Sequence, residues 1–403
     1  LQLPSLGESS AGLISPAEEY ALGQELIRIY RASLPTAQDP FIESYLADLL
    51  QRVATASDLQ DKRLELIVLD SPTLNAFAAP GGIVGVNTGT FLTAQNEHQL
   101  ASILAHELAH LSQRHYARRL QQQKTTSTVG LAALLASLLV VAAGNSDAGI
   151  AAIPAIQAAA LESSLRFSRD MEIEADRIGM QTLVQAGFDP YAMPGMFEQM
   201  LKTTRYRSKV PEFLLTHPVT ESRIADSASR AQKFPQRYVE YDKNYQLMRA
   251  RVLMRFESNP TQAVKRFASE ISGNQTLPPL TAHYGLLLAR IQTGDLAGAR
   301  ETLEKLRTLT DNQVVLAVAE ADIAAREQNW DAATVILQNA LARHPNDHPL
   351  NVRLAEILME AGRYPQCEAL LLQHVKRQPD NAYVWYLLAE VHGLAGHILD
   401  VHK

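Results

Sequence analysis

Gln99-Leu-Ala-Ser-Ile-Leu-Ala-His106-Glu107-Leu-Ala-His110-Leu-Ser-Gln113 places two histidines four positions apart, with a glutamate directly after the first. In a helix, at roughly 100° per residue, the two imidazoles lie about 40° apart on one face. Leu100, Ile103, Leu104, Leu108 and Leu111 supply the apolar positions that bury the rest of the helix. No Pro or Gly falls between Glu97 and Gln123, so nothing in the composition breaks a helix over that span. Two neutral imidazoles on one face can hold Zn²⁺, and the carboxylate between them can reach a water beside it. His106 and His110 are therefore candidate metal ligands, with Glu107 the candidate general base.

A catalytic zinc needs a third protein ligand and an open position. One arrangement takes a histidine six residues after the second, beyond a glycine; Tyr116 and Gln113 occupy those places, which excludes it. His115 lies five residues past His110, about 140° round a continuing helix, and reads as a surface group or one behind the ligands. The other arrangement takes a glutamate from a later helix. Phe167-Ser-Arg-Asp-Met-Glu172-Ile-Glu-Ala-Asp176-Arg-Ile-Gly179 offers Glu172 and Asp176, four apart on one face. One can ligate while the other accepts an N–H from a ligand histidine. Glu174, two residues from Glu172, faces elsewhere.

His-Glu-Leu-Ala-His followed by Ser168, Arg169, Glu172, Ala175 and Asp176 in register resembles the gluzincin metallopeptidases of the HtpX and CAAX-prenyl-protease type. Asn75 to Gly89 is similar to that family's edge strand beside the active site, and Leu214 to Asp226 to a further family block. The resemblance covers roughly residues 15–235. It implies one Zn²⁺ per chain on His106, His110 and Glu172, with Asp176 behind them. It also implies that His217 acts near the metal, either stabilising the oxyanion or filling the fourth position; the second case would hold the enzyme inactive at rest. His217-Pro218 cannot continue a helix, so it is expected at a loop or helix boundary. Arg223 is expected to pair with Asp176, to position substrate, or to be a surface arginine. In such a site Glu107 takes a proton from water and returns it to the leaving amine.

Arg63 to Asp70 is rich in β-formers and bounded by Ser71-Pro72, which predicts a strand. Pro80-Gly81-Gly82 is turn chemistry, and Ile83 to Val86 reads as the next strand. An edge strand can bind an extended peptide by strand addition, and the resemblance assigns that role to Gly82, Ile83, Val84, Gly85 and Val86. Read from residues alone, the segment is an ordinary hairpin. Val129 to Ala143 is almost wholly apolar and Ile150 to Leu161 is apolar and Ala-rich, with Gly144-Asn-Ser-Asp147 between. The first run has about 15 residues, short of the roughly 20 that cross a bilayer. A helical hairpin is expected, packed on the zinc domain, touching a membrane surface, or with its turn over the site as a lid.

From about residue 280 the chain repeats itself every 34 residues, the length of a tetratricopeptide unit. Ala321, Ala355 and Ala389 form one column; Leu296, Trp330 and Tyr364 another; Ala299, Ala333 and Cys367 a third; Leu303, Leu337 and Leu371 a fourth; Pro345 and Pro379 a fifth. Small residues recur where two helices touch and large ones where a pair wedges against its neighbour. Residues 240–280 read as a degenerate earlier pair, and the last unit stops at Lys403 just after its first helix. A truncated C-terminus is expected, because an unpaired helix leaves an apolar face uncovered.

The fold expected is mainly α: an α+β zinc metallopeptidase domain with a small sheet over residues 1–235, then an α-solenoid of tetratricopeptide repeats over 236–403. With 46% hydrophobic residues in 403, the chain can bury two cores. A formal charge of −6 and the lack of a basic cluster argue against nucleic acid. The single Cys367 rules out an internal disulfide. The start, Leu-Gln-Leu-Pro-Ser-Leu-Gly, has no basic n-region and reads as a processed mature end. A peptidase of this family carrying such repeats resembles envelope proteases of Gram-negative bacteria. That resemblance implies a periplasmic enzyme, in peripheral membrane contact at most. It would degrade misassembled or stalled outer-membrane proteins, assist their assembly, and dock on the barrel assembly machinery through its repeats. The alternative is a chaperone or scaffold for the same proteins, its zinc site normally shut.

Overall fold

The computed structural model describes residues 15–122, 167–206, 211–237 and 241–395. The apolar runs 129–143 and 150–161, with the hairpin, lid and membrane-contact readings attached to them, lie outside the described residues. Two compact units make up the chain: Leu1–Ala37 with Leu46–Tyr241, and Gln38–Tyr45 with Asp242–Lys403. Both are mainly helical, and the first holds a small sheet. No described helix is long and apolar enough to cross a membrane.

In the first unit, α1 (Pro16–Ser33) starts from a reciprocal cap: the Ser15 hydroxyl accepts the Glu18 N–H, and the Glu18 carboxylate accepts the Ser15 N–H. Leu26, Ile27 and Tyr30 of α1 pack with Ile67, Leu69, Phe77 and Ile83 of the sheet. The helix α2 (Pro40–Thr55) precedes three strands, β1 (Glu65–Leu69), β2 (Ala76–Ala79) and β3 (Ile83–Asn87). Their order is β1-β3-β2. Glu65 lies opposite Ile83 in a parallel pair, and Ala76 opposite Val86 in an antiparallel one.

The strand expected to be an edge, Gly82 to Val86, is therefore central. Its turn explains why. Gly82 has φ +84°, and a Cβ there would stand 2.3 Å from the Arg63 carbonyl oxygen. The bare glycine lets the start of β1 come alongside, where the Glu65 N–H donates to the Gly82 carbonyl. Gly85 serves the other side: the Phe77 ring of β2 fills the place its Cβ would take, at 2.2 Å.

Beyond the sheet come α3 (Thr90–Thr93), α4 (Glu97–Ser112) and α5 (His115–Gln122). Asn96 caps α4 by accepting the Gln99 N–H at 3.0 Å. The uninterrupted helix expected to Gln123 does not form. The chain turns at Gln113–Arg114, where Arg114 takes φ +49°, and α5 starts afresh at His115. The unit closes with α6 (Arg169–Gln185), α7 (Ala192–Tyr206), α8 (Glu212–Thr216) and α9 (Glu221–Ala231).

The second unit stacks α10 (Lys243–Arg255), α11 (Pro260–Ser269), α12 (Pro279–Thr293), α13 (Leu296–Arg307), α14 (Gln313–Arg326), α15 (Trp330–Arg343), α16 (His348–Glu360), α17 (Tyr364–Val375) and α18 (Ala382–Leu394). Leu296, Trp330 and Tyr364, one column of the repeat, each open a helix. Ala299, Ala333 and Cys367 are fully buried where paired helices meet. Gly294 and Gly362 end α12 and α16 in the left-handed conformation, at φ +77° and +71°. This unit also takes in the first turn of α2, where Asp39 accepts from Arg251 Nε at 2.8 Å.

Candidate active site

Two packed helices build the site. Ser168 caps α6 by accepting the Met171 N–H, and α6 lies against α4. His106 and His110 of α4 face Glu172 and Asp176 of α6; α8 ends at His217, whose N–H donates to the Phe213 carbonyl. His106 Nε2 and His110 Nε2 are 3.1 Å apart. Glu172 Oε2 lies 3.5 Å from His106 Nε2, and its Oε1 lies 3.5 Å from His110 Nε2. His217 Nδ1 lies 3.0 Å from Glu172 Oε1 and 3.4 Å from His106 Nε2. One donor atom from each of the four side chains lies within 4.8 Å of the other three, and all four residues are buried.

Three imidazole nitrogens and a carboxylate oxygen form a donor set suited to a divalent metal such as zinc. Beside them Glu107 Oε1 is buried without a hydrogen-bond partner, 3.5 Å from His217 Nε2. The other Glu107 oxygen accepts the Ala78 N–H of β2 at 2.9 Å. An orphaned carboxylate oxygen at the rim of the donor set fits a bound water or carbonyl at a metal centre.

The charges are arranged around burial. Burial raises the Glu107 pKa, against the pull of His217 and His106. Burial also opposes ionisation of Glu172, but His217, His106 and His110 hold its carboxyl well below the usual range. Burial and the neighbouring His106 push His110 well below the usual imidazole range. His106 goes the other way: burial works to lower it, while Asp176 and Glu172 carry it up to about 9.

Asp176 Oδ1 lies 3.0 Å from His106 Nδ1. Arg223 of α9 grips both Asp176 oxygens at 2.7 Å, reaches Glu172 at 2.8 Å, and donates to the Pro218 carbonyl at 2.8 Å. At 5% exposure it is no surface arginine. Gly82 to Val86 does not border the site as an edge; β2 does, through Ala78.

Of the two readings of His115, a surface group or one behind the ligands, the structure gives the second. His115 is fully buried, with Nδ1 2.9 Å from His110 Nδ1, and Glu174 accepts from its far nitrogen. Glu174 does face away from the four donors, as its spacing predicts, but toward His115. The turn at Arg114 folds His115 back behind His110, and no glycine or asparagine in the sequence signals that turn.

Residues 41–231 match peptidase family M48, and residues 324–391 match a tetratricopeptide repeat family. The chain is 31% identical over 388 residues to the beta-barrel assembly-enhancing protease of Escherichia coli (strain K12), covering 96% of this chain and 79% of that protein. It is 34% identical over 401 residues to the putative beta-barrel assembly-enhancing protease of Vibrio cholerae, covering 98% and 82%. The mitochondrial metalloendopeptidase OMA1 of Schizosaccharomyces pombe is 34% identical over 180 residues, 45% of this chain and 50% of that one. The fold, the cluster of residues that could hold a metal, and these similarities together make the chain a metallopeptidase of family M48 that also carries tetratricopeptide repeats.

Proposed function

We propose that the chain is a zinc endopeptidase of the bacterial envelope. It would act in the periplasm on misassembled or stalled outer-membrane proteins and dock on their assembly machinery through its repeats. The observation that carries the catalytic part is the convergence of His106, His110, Glu172 and His217 beside the buried Glu107. The envelope setting rests on the names of the similar proteases from Escherichia coli and Vibrio cholerae.

His106, His110 and Glu172 would hold the ion, which when bound would polarise a peptide carbonyl and acidify a water. Glu107 takes the water proton and passes it to the departing amine, a role suited to a carboxyl raised by burial. Ala78 anchors Glu107 from β2, the strand whose outer edge an extended polypeptide would join. His217 would either occupy the fourth donor position and hold the site shut, or stabilise the developing oxyanion with its imidazole. Asp176 and Arg223 hold His106 and Glu172 in place.

Side-by-side measurement of zinc content and casein cleavage by wild type, Glu107→Gln and His217→Ala tests this. One zinc per chain and cleavage abolished by Glu107→Gln are the expected results; a gain of cleavage in His217→Ala assigns His217 to the shut site, and a loss assigns it to the oxyanion. Protein that takes up no zinc would refute the site. A second reading, an assembly chaperone with a shut site, draws on the burial of His217 among the ligands. It requires that Glu107→Gln still support outer-membrane protein assembly.

A further inference from the structure

His115 is fully buried, yet no step of the proposed reaction uses it. Burying an imidazole costs free energy unless both ring nitrogens find partners. Here both do. Nδ1 lies 2.9 Å from His110 Nδ1, and Nε2 lies 3.2 Å from Glu174 Oε2. The same Glu174 oxygen accepts from Arg118 Nη1 at 2.8 Å. We propose that His115 and Glu174 are positioning residues for His110, a relay that fixes its ring with a bare Nε2 toward the metal. This rests on the reading of His110 as a metal ligand.

Proton accounting gives the relay its direction. A single proton bridges His110 Nδ1 and His115 Nδ1. If it belongs to His110, His110 Nε2 is a free lone pair, and His115 carries its own proton on Nε2, aimed at Glu174. If it belongs to His115, two faults appear together. His110 then bears a proton on the nitrogen that should ligate, and His115 Nε2 presents a lone pair to a carboxylate oxygen. The carboxylate of Glu174, two bonds away in the network, therefore selects the ligating tautomer of His110. His106 gets the same service directly, with Asp176 3.0 Å from its Nδ1 and Arg223 behind Asp176. Each of the two α4 histidines thus faces a carboxylate held by an arginine, one through an intervening imidazole and one without.

The helix break makes the longer relay possible. On a continuing helix His115 would sit about 140° from His110. The left-handed Arg114, at φ +49°, starts α5 in a direction that returns His115 to its partner. Phe167 stacks on the His110 ring at 4.1 Å between centroids and closes the other face.

The test is zinc affinity of the full chain, measured by competition with a chromophoric chelator, for wild type, His115→Leu, His115→Gln and Glu174→Met. His115→Leu is expected to weaken binding about 10- to 100-fold, the usual effect of losing a partner behind a metal ligand. His115→Gln can accept from His110 and donate to Glu174, so it should recover most of that loss. Glu174→Met should weaken binding about 5- to 10-fold. Its side chain is 20% exposed, so it decides the matter if His115→Leu fails to fold. His115→Leu or Glu174→Met binding as tightly as wild type would overturn the relay, as would His115→Gln behaving like His115→Leu. A wild-type chain that binds no zinc would instead overturn the metal site, and the relay with it.

Discussion

Gly179 and Ala105 meet backbone to backbone where α6 lies against α4. A methyl group on Gly179 would stand 3.0 Å from the Ala105 carbonyl oxygen and 3.1 Å from His106 Cα. Neither of those atoms is the end of a flexible side chain, so the helices themselves must part to admit one. Gly179→Ala is expected to cost about 1–3 kcal/mol by overpacking. Glu172 and Asp176 ride on the helix that moves, so metal affinity should fall as well. Thermal unfolding of the metal-free chain, set beside chelator competition, reads both; no change in either would show the contact to be compliant.

Arg223 answers for two buried carboxylates at once, Asp176 and Glu172. Arg223→Leu leaves both without their cation, and breaking such buried pairs typically costs about 3–5 kcal/mol. Arg223→Lys keeps the charge but loses the two-pronged grip on Asp176 and the Pro218 contact, and should fall between. Urea unfolding midpoints for the three chains would rank them. Equal midpoints for Leu and Lys would show that charge is not what matters there.

Gly85 and Phe77 are a fitted pair across β2 and β3, the ring occupying the space of the missing side chain. Gly85→Ala is therefore expected to destabilise by about 1–3 kcal/mol. Adding Phe77→Leu should return part of the loss, so the two changes will not be additive. A double-mutant cycle with no coupling would contradict the fit.

A pH-dependent term resides in the repeat unit. His374 Nε2 bonds His348 Nδ1 at 2.8 Å, and burial, with His348 adding to it, lowers its pKa to about 4. The unfolded chain protonates this imidazole near its ordinary value of about 6.5. Between those values the unfolded state binds more protons, so stability is full above pH of about 6.5 and is lost as pH falls toward 4. The loss from this group is about 1–3 kcal/mol. Trp330 and Trp385 are the two tryptophans of the chain and both sit in this unit, so their fluorescence reports its unfolding. His374→Leu should lose less stability than wild type between pH values of about 7 and 4.5; an equal loss would assign the effect elsewhere.

What the sequence made legible follows the range of the signal. The His106–His110 face of α4 and the 34-residue columns are local or periodic patterns, and each marks elements that formed. Strand order is not local. Nothing in Ile83 to Val86 says that β1 will pair on its far side, and the clue that exists, a glycine at position 82, is shared with any tight turn. The break at Arg114 was hidden for a different reason. Arginine rarely takes positive φ, and the chain accepts the strain where Arg114 pairs with Glu19 of α1, a contact 95 residues away. That one residue decides between the two readings of His115, turning it behind His110 and away from the surface.

The sheet is unlike on its two sides. Along β1 the C-terminal end of the outer rim is already occupied: Thr36 bridges Leu69, the Ala37 N–H donates to the Val68 carbonyl, and the Asp70 N–H donates to the Pro35 carbonyl. Along β2, among the described residues, the outward N–H of Ala78 is held by Glu107. Sheets polymerise only when both rims are open, and here the end of one is covered by the chain's own preceding segment. A second copy can attach at β2 at most once, and only by taking Ala78 from the carboxylate. An enzyme proposed to handle unfolded, aggregation-prone chains thus offers them a place to pair that ends with the first strand to arrive.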